Sequence, residues 1–210
     1  MTRESKALIV IDLQNDFCPG GALAVKEGDR VVPLINRLMA SNDFANVLLT
    51  QDWHPADHGS FASSHEGRKP GDVVILNGIE QILWPDHCVQ ETKGAAFHPG
   101  LHVGKAARVF RKGTDVNIDS YSAFFDNARK KSTGLDAYLK ERGVLSVYLC
   151  GLATDYCVKF SALDAVELGF ETYVIEDACR GVNLREGDAA RAIEEMRERG
   201  AQIASFRFDD

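Results

Sequence analysis

No stretch of the 210 residues stays apolar for long. The longest unbroken run, Ala7 to Ile11, falls far short of the ~20 residues a membrane span requires, and the opening Met-Thr-Arg-Glu-Ser-Lys leads into no signal-peptide core. The sequence therefore predicts no membrane partner and a cytoplasmic protein. Positive charge is scarce as well: 24 Lys and Arg stand against 31 Asp and Glu, a formal net charge of −7, with no basic stripe to hold a phosphate backbone. That balance argues against nucleic acid. The five cysteines are odd in number and none is spaced Cys-x-x-Cys, so neither a disulfide framework nor a four-cysteine zinc site is indicated. Low-complexity segments, interdomain linkers and repeats of roughly 20–50 residues are missing too.

What is present suffices for a core. Hydrophobic residues make up 45% of a length that suits one domain, taken here as residues 1–210. Ala7 to Ile11 reads as a strand covered on both faces, and Val32, Ile35, Leu38 and Met39 fall at helical spacing between Asp29 and Asn42. Strands follow at Asn46 to Thr50 and Ala107 to Arg111. The chain then repeats one device: helices at Leu135 to Arg142, from about Asp155, and from Gly187 stop near Gly143, Gly169 and Gly200. Strands at Ser146 to Cys150, Thr172 to Ile175 and Gln202 to Phe206 follow them. Six strands with interleaved helices predict an α/β fold: a doubly wound, mostly parallel six-stranded sheet with helices on both faces. Residues 51–104 break the rhythm, showing little periodicity yet holding all six histidines and both tryptophans. An insertion of that length and content points to function.

Ligands of such sheets bind beyond the carboxyl ends of the strands. Those positions hold Asp12, Asp52, Lys112 and the turn Gly151-Leu-Ala-Thr-Asp-Tyr-Cys157: an acid, a metal-ligand type, a cation and a thiol. Singly, each has a bland reading as a turn residue, a solvated lysine or a small buried hydrophobe. Cys157 sits in the first turn of a helix, where unsatisfied N–H groups and a nearby Lys112 would lower its pKa, while Asp12 could take the thiol proton and later donate it to a leaving amine. Cys18, Cys88, Cys150 and Cys179 read as structural. A second constellation is Asp52-Trp-His54 with the distant His87. Its oxygen and nitrogen donors suit one divalent metal, Zn foremost, with Mn or Fe also compatible. Ser60, His58 and His65 are spare ligand candidates, whereas His98 and His102 read as structural. A metal hydrolase in which Cys157 merely packs is the competing reading.

The motifs Ala7-Leu-Ile-Val-Ile-Asp-Leu-Gln-Asn-Asp-Phe17, Gln51-Asp-Trp-His-Pro55, Trp84-Pro-Asp-His-Cys88, Phe110-Arg-Lys-Gly113 and Gly151-Leu-Ala-Thr-Asp-Tyr-Cys-Val158 together resemble the nicotinamidases. These are metal-containing members of the isochorismatase-like cysteine hydrolases. The resemblance implies hydrolysis of nicotinamide to nicotinate and ammonia in NAD salvage, extending to pyrazinamide. It implies Cys157 as nucleophile, Asp12 as general acid and base, Lys112 as supporting cation, and Asp52, His54 and His87 as metal ligands. It further implies a cis peptide between Leu152 and Ala153, with the N–H groups of Ala153 and Cys157 as the oxyanion hole. A flat heteroaromatic substrate also needs apolar faces, for which Phe17, Trp84, Tyr121 and Tyr156 are the candidates. A fourth protein ligand and a homo-oligomer stay open.

Overall fold

The computed structural model describes residues 2–206. Its main sheet has six strands, β1 (Lys6–Ile11), β2 (Asn46–Asp52), β5 (Arg108–Lys112), β6 (Ser146–Leu152), β7 (Glu171–Arg180) and β8 (Gln202–Ala204), in the order β5-β2-β1-β6-β7-β8. Every neighbouring pair is parallel, so the expected mostly parallel sheet is wholly parallel. The order reverses direction between β1 and β6. A crevice opens at that point, beyond the carboxyl ends of the two strands, and Asp12 and the Gly151–Cys157 turn lie beside it.

The connections follow. Helix α1 (Val32–Ala40) joins β1 to β2, α2 (Leu135–Glu141) precedes β6, α3 (Lys159–Glu167) joins β6 to β7, and α4 (Asp188–Glu198) joins β7 to β8. Because α1 runs leftward and α3 rightward across the sheet, right-handed crossovers put them on opposite faces. Lys159 of α3 pairs with Glu195 of α4 at 3.2 Å on a shared face. Gly143, Gly169 and Gly200 have the positive φ expected where helices end.

Several boundaries differ from the sequence expectation for local reasons. Helix α1 begins at Val32 after a tight turn at Gly28–Val31, since Pro33 is tolerated only in a first turn. Cys157 belongs to a π-turn, Thr154–Val158, and the α-helix proper starts at Lys159. Strand β7 runs five residues beyond Ile175. Polar Glu176 and Asp177 hide this extension, and the register with β6 shifts between Leu149 and Gly151. Strand β8 stops at Ala204, and the Phe206 N–H instead donates to the Asp177 carboxylate at 3.1 Å.

The 51–104 insertion is more ordered than its weak periodicity suggests. It carries an antiparallel hairpin, β3 (Val73–Leu76) and β4 (Ile79–Ile82), turned by Asn77 and Gly78 at φ 49° and 85°. Asn-Gly with both residues at positive φ is the favoured two-residue hairpin turn. Main-chain bonds tie the insertion's loops together, His54 N–H to Cys88 O at 3.0 Å and Trp84 N–H to Ser60 O at 2.8 Å. Among the described residues no helix is long and apolar enough to cross a membrane.

Candidate active site

Strand pairing puts Asp52 directly opposite Lys112, each the last residue of its strand. Lys112 Nζ lies 2.9 Å from Asp52 Oδ1 and 2.9 Å from Asp12 Oδ2, and donates to Ser120 O at 2.8 Å and Cys157 Sγ at 3.4 Å. All four side chains are buried. Burial favours the uncharged amine, but the two carboxylates outweigh it and hold Lys112 protonated, well above the usual range.

Asp12 occupies left-handed backbone at φ 44°, where its N–H donates to Thr50 Oγ1 at 3.1 Å and Thr50 O–H donates back to Asp12 Oδ1 at 2.6 Å. This mutual pair leaves Oδ2 directed at Lys112 and the thiol. Burial raises the Asp12 pKa, and Lys112 only partly offsets that. Cys157 corrects a sequence expectation. Its thiol is pushed well above its usual value by burial, reinforced by Asp12 and Asp52, and Lys112 does not reverse the direction. Complete desolvation outweighs the helix start, so burial favours the protonated thiol at Cys157, with the Asp12 carboxyl beside it.

The predicted ligands Asp52, His54 and His87 converge, with donor atoms within 4.8 Å of one another. Asp52 Oδ2 is 3.1 Å from His54 Nε2 and 3.6 Å from His87 Nε2. Each histidine spends its other nitrogen on a backbone carbonyl, His54 Nδ1 on Gly113 O at 2.9 Å and His87 Nδ1 on Pro85 O at 2.7 Å. That sets both Nε2 lone pairs toward one point. His54 Nε2 is buried without a hydrogen-bond partner among the described residues. Two buried carboxylates face a single buried cation, so a divalent ion among Asp52, His54 and His87 also suits the local charge.

The spare candidates separate. His65 Nε2 is bonded to Gly59 O at 2.8 Å, and Ser60 Oγ to His58 Nδ1 at 2.7 Å. His58 Nε2 has no hydrogen-bond partner among the described residues and groups with His54 and Asp119. Burial, with His54 alongside, lowers the His58 pKa to about 4 and keeps it neutral.

Phe17, Trp84, Tyr121 and Tyr156 all line one cavity, together with Asp52, His87, Ala153 and Cys157. Trp84 meets Tyr156 edge-on at 4.8 Å, and Phe17 lies 5.5 Å from the His87 ring. Ala153 follows a cis peptide bond at Leu152-Ala153. Asp12 and Lys112 stand behind Cys157 and do not line the cavity. Sequence reasoning missed Asp119, Leu23 and Val182, which complete the lining, and Gln14, which clamps Asp52 through bonds of 2.8 Å to its N–H and its carbonyl. Only Gln14 carried a signal, lying two residues beyond Asp12 in the first motif.

The Isochorismatase domain model matches residues 6–207. The chain belongs to the isochorismatase family. It is 52% identical to the nicotinamidase of Escherichia coli over 94% of this chain and 93% of that protein. The solved nicotinamidase and pyrazinamidase of Acinetobacter baumanii superposes with a TM-score of 0.93 at 47% identity, covering 98% of each chain. The pyrazinamidase of Pyrococcus horikoshii, solved in complex with zinc, superposes with a TM-score of 0.80 at 39% identity, covering 96% of this chain and 99% of that one.

Proposed function

We propose that this chain is an amidohydrolase that converts nicotinamide to nicotinate and ammonia, accepts pyrazinamide, and works through a thioester on Cys157. The observation that carries the reading is Lys112, whose ammonium lies within 2.9 Å of both Asp12 and Asp52 and 3.4 Å from Cys157 Sγ. One cation thereby joins acid, nucleophile and ligand set.

The chemistry follows from the positions. Asp12 Oδ2 takes the thiol proton, and the sulfur attacks the amide carbon, forming the C–S bond while the carbonyl electrons move onto oxygen. The N–H groups of Ala153 and Cys157 stabilise that oxyanion. When it collapses the C–N bond breaks, and Asp12 returns its proton to the nitrogen, which leaves as ammonia. Asp12 then takes a proton from water, whose oxygen attacks the thioester. The C–S bond breaks, Asp12 returns that proton to the Cys157 sulfur, and the product leaves as nicotinic acid, which releases its remaining proton to water as nicotinate. Lys112 stays protonated throughout and offsets the negative charge on Asp12.

Asp52, His54 and His87 would hold the divalent metal, zinc in this reading, which when bound supplies a Lewis-acid site for the ring nitrogen. Phe17, Trp84, Tyr121 and Tyr156 provide the apolar walls for the ring. One domain over residues 1–210 with a metal-binding insertion, and a cytoplasmic location in keeping with five free cysteines, belong to the same reading. The test is ammonia and nicotinate release from nicotinamide by the purified, zinc-loaded protein. Stoichiometric release of both is expected; no release from folded, zinc-loaded protein would discard the substrate.

A further inference from the structure

One buried polar side chain near the cavity has no part in the chemistry above. Gln81 sits on β4 and is 1% exposed, on the hairpin face that also carries the partly buried Val74, Leu76 and Ile79, while Val73 and Ile75 on the other face are 51% and 68% exposed. Gln81 is thus the one polar residue on an otherwise apolar inward face. The Gln81 amide nitrogen has three acceptors, Ile82 O at 2.8 Å, Tyr121 Oη at 3.0 Å and Asp119 Oδ2 at 3.1 Å. Tyr121 Oη also accepts the Trp84 indole N–H at 3.1 Å. The two Gln81 amide hydrogens are shared among these three acceptors, and with the Trp84 N–H also directed at Tyr121 Oη the arrangement favours its hydroxyl meeting a bound molecule as a donor. Trp84, Tyr121 and Asp119 line the cavity, while Gln81 stands behind them.

We infer that Gln81 is a positioning residue for substrate, fixing Trp84 and Tyr121 in the planes that receive a flat heteroaromatic ring and holding Tyr121 as a hydrogen-bond donor toward it. This deepens the nicotinamide reading and rests on it. Only a neutral amide serves the position. Glutamate would repel Asp119 and draw the Tyr121 hydrogen to itself, and methionine would leave Asp119 Oδ2 and one Tyr121 lone pair without a donor. Among the described residues no hydrogen bond links Gln81 to Asp12, Lys112 or Cys157, so its effect falls on binding and not on bond making.

The experiment compares zinc-loaded wild type with Gln81→Met and Gln81→Glu, reading KM and kcat for nicotinamide alongside near-ultraviolet dichroism of the Trp84, Tyr121 and Tyr156 cluster. In both variants KM is expected to rise about tenfold, the value of a hydrogen bond lost at a buried site, with kcat within about twofold of wild type and an altered near-ultraviolet band. An unchanged KM in both variants overturns the inference, as does a fall in kcat at constant KM. If Gln81→Met does not fold, the isosteric Gln81→Glu decides; failure of both to fold makes Gln81 structural and also overturns it. If wild type releases no ammonia, the nicotinamide reading fails separately. The dichroism then decides whether Gln81 holds the aromatic wall, an unchanged band refuting it.

Discussion

Asp52 and Lys112 are register partners at the ends of adjacent parallel strands, and their side chains meet at 2.9 Å. Asp52 thus faces two ways, with Oδ1 on the lysine that also touches Asp12 and Cys157, and Oδ2 on His54 and His87. The proposed metal site and the proposed nucleophile are coupled through one carboxylate, so damage to either should be felt in the other.

Lys112→Met should therefore cost stability as well as activity. It leaves two buried carboxylates without their cation, for which about 3–5 kcal/mol of destabilisation is expected, with turnover falling at least about a thousandfold. Urea unfolding and ammonia release measure the two. A variant as stable as wild type would show that Asp12 and Asp52 are not both charged.

Cys157→Ala separates a nucleophile from a packing residue. Near-complete loss of nicotinamide turnover is expected with folding stability changed by about 1 kcal/mol or less, since only one sulfur atom beside a cavity is removed. Retained turnover would refute the thioester route.

The ligand set predicts a contrast between two histidines. His54→Ala should lose bound metal and turnover together, whereas His65→Ala, whose Nε2 is committed to Gly59 O, should keep wild-type metal content by elemental analysis. Loss of metal from His65→Ala would mean that the loop rearranges around the ion.

Gly113→Ala should resemble a ligand mutation without touching a ligand. Gly113 has φ 62°, and an added Cβ would collide with His54 Cε1 and come within 2.7 Å of His54 Nδ1, the atom bonded to Gly113 O. Metal retention after dialysis should fall about tenfold or more. Full retention would show that the turn relaxes away from His54.

The rate should fall toward acid because Asp12 must be ionised to take the thiol proton. Its pKa is raised by burial, so the acid limb of kcat/KM should lie above the ordinary aspartate range. The stability sign is opposite to that of a carboxylate whose folded pKa is lowered, because burial outweighs the Lys112 pairing at Asp12. A raised folded pKa means the folded state binds more protons, so the Asp12 contribution declines as pH rises from the unfolded value of 3.8 through the folded one. An acid limb near pH 4 would show that Asp12 is less desolvated than its surroundings imply.

The alternation of apolar runs and glycine-stopped helices was legible in the sequence because strand burial and C-cap geometry are local demands. The residue types that end the strands, Asp12, Asp52, Lys112 and Cys157, could be read off for the same reason. The hairpin at 73–82 went unread, although its Asn-Gly turn is a local signal, because Gln81 sits where alternation expects an apolar residue. Tertiary structure decided the rest. Gln81 and Asp119 are 38 positions apart and meet only in the folded chain. Helix position alone suggested a lowered thiol pKa at Cys157, but desolvation depends on everything packed around the sulfur, and it reverses the direction.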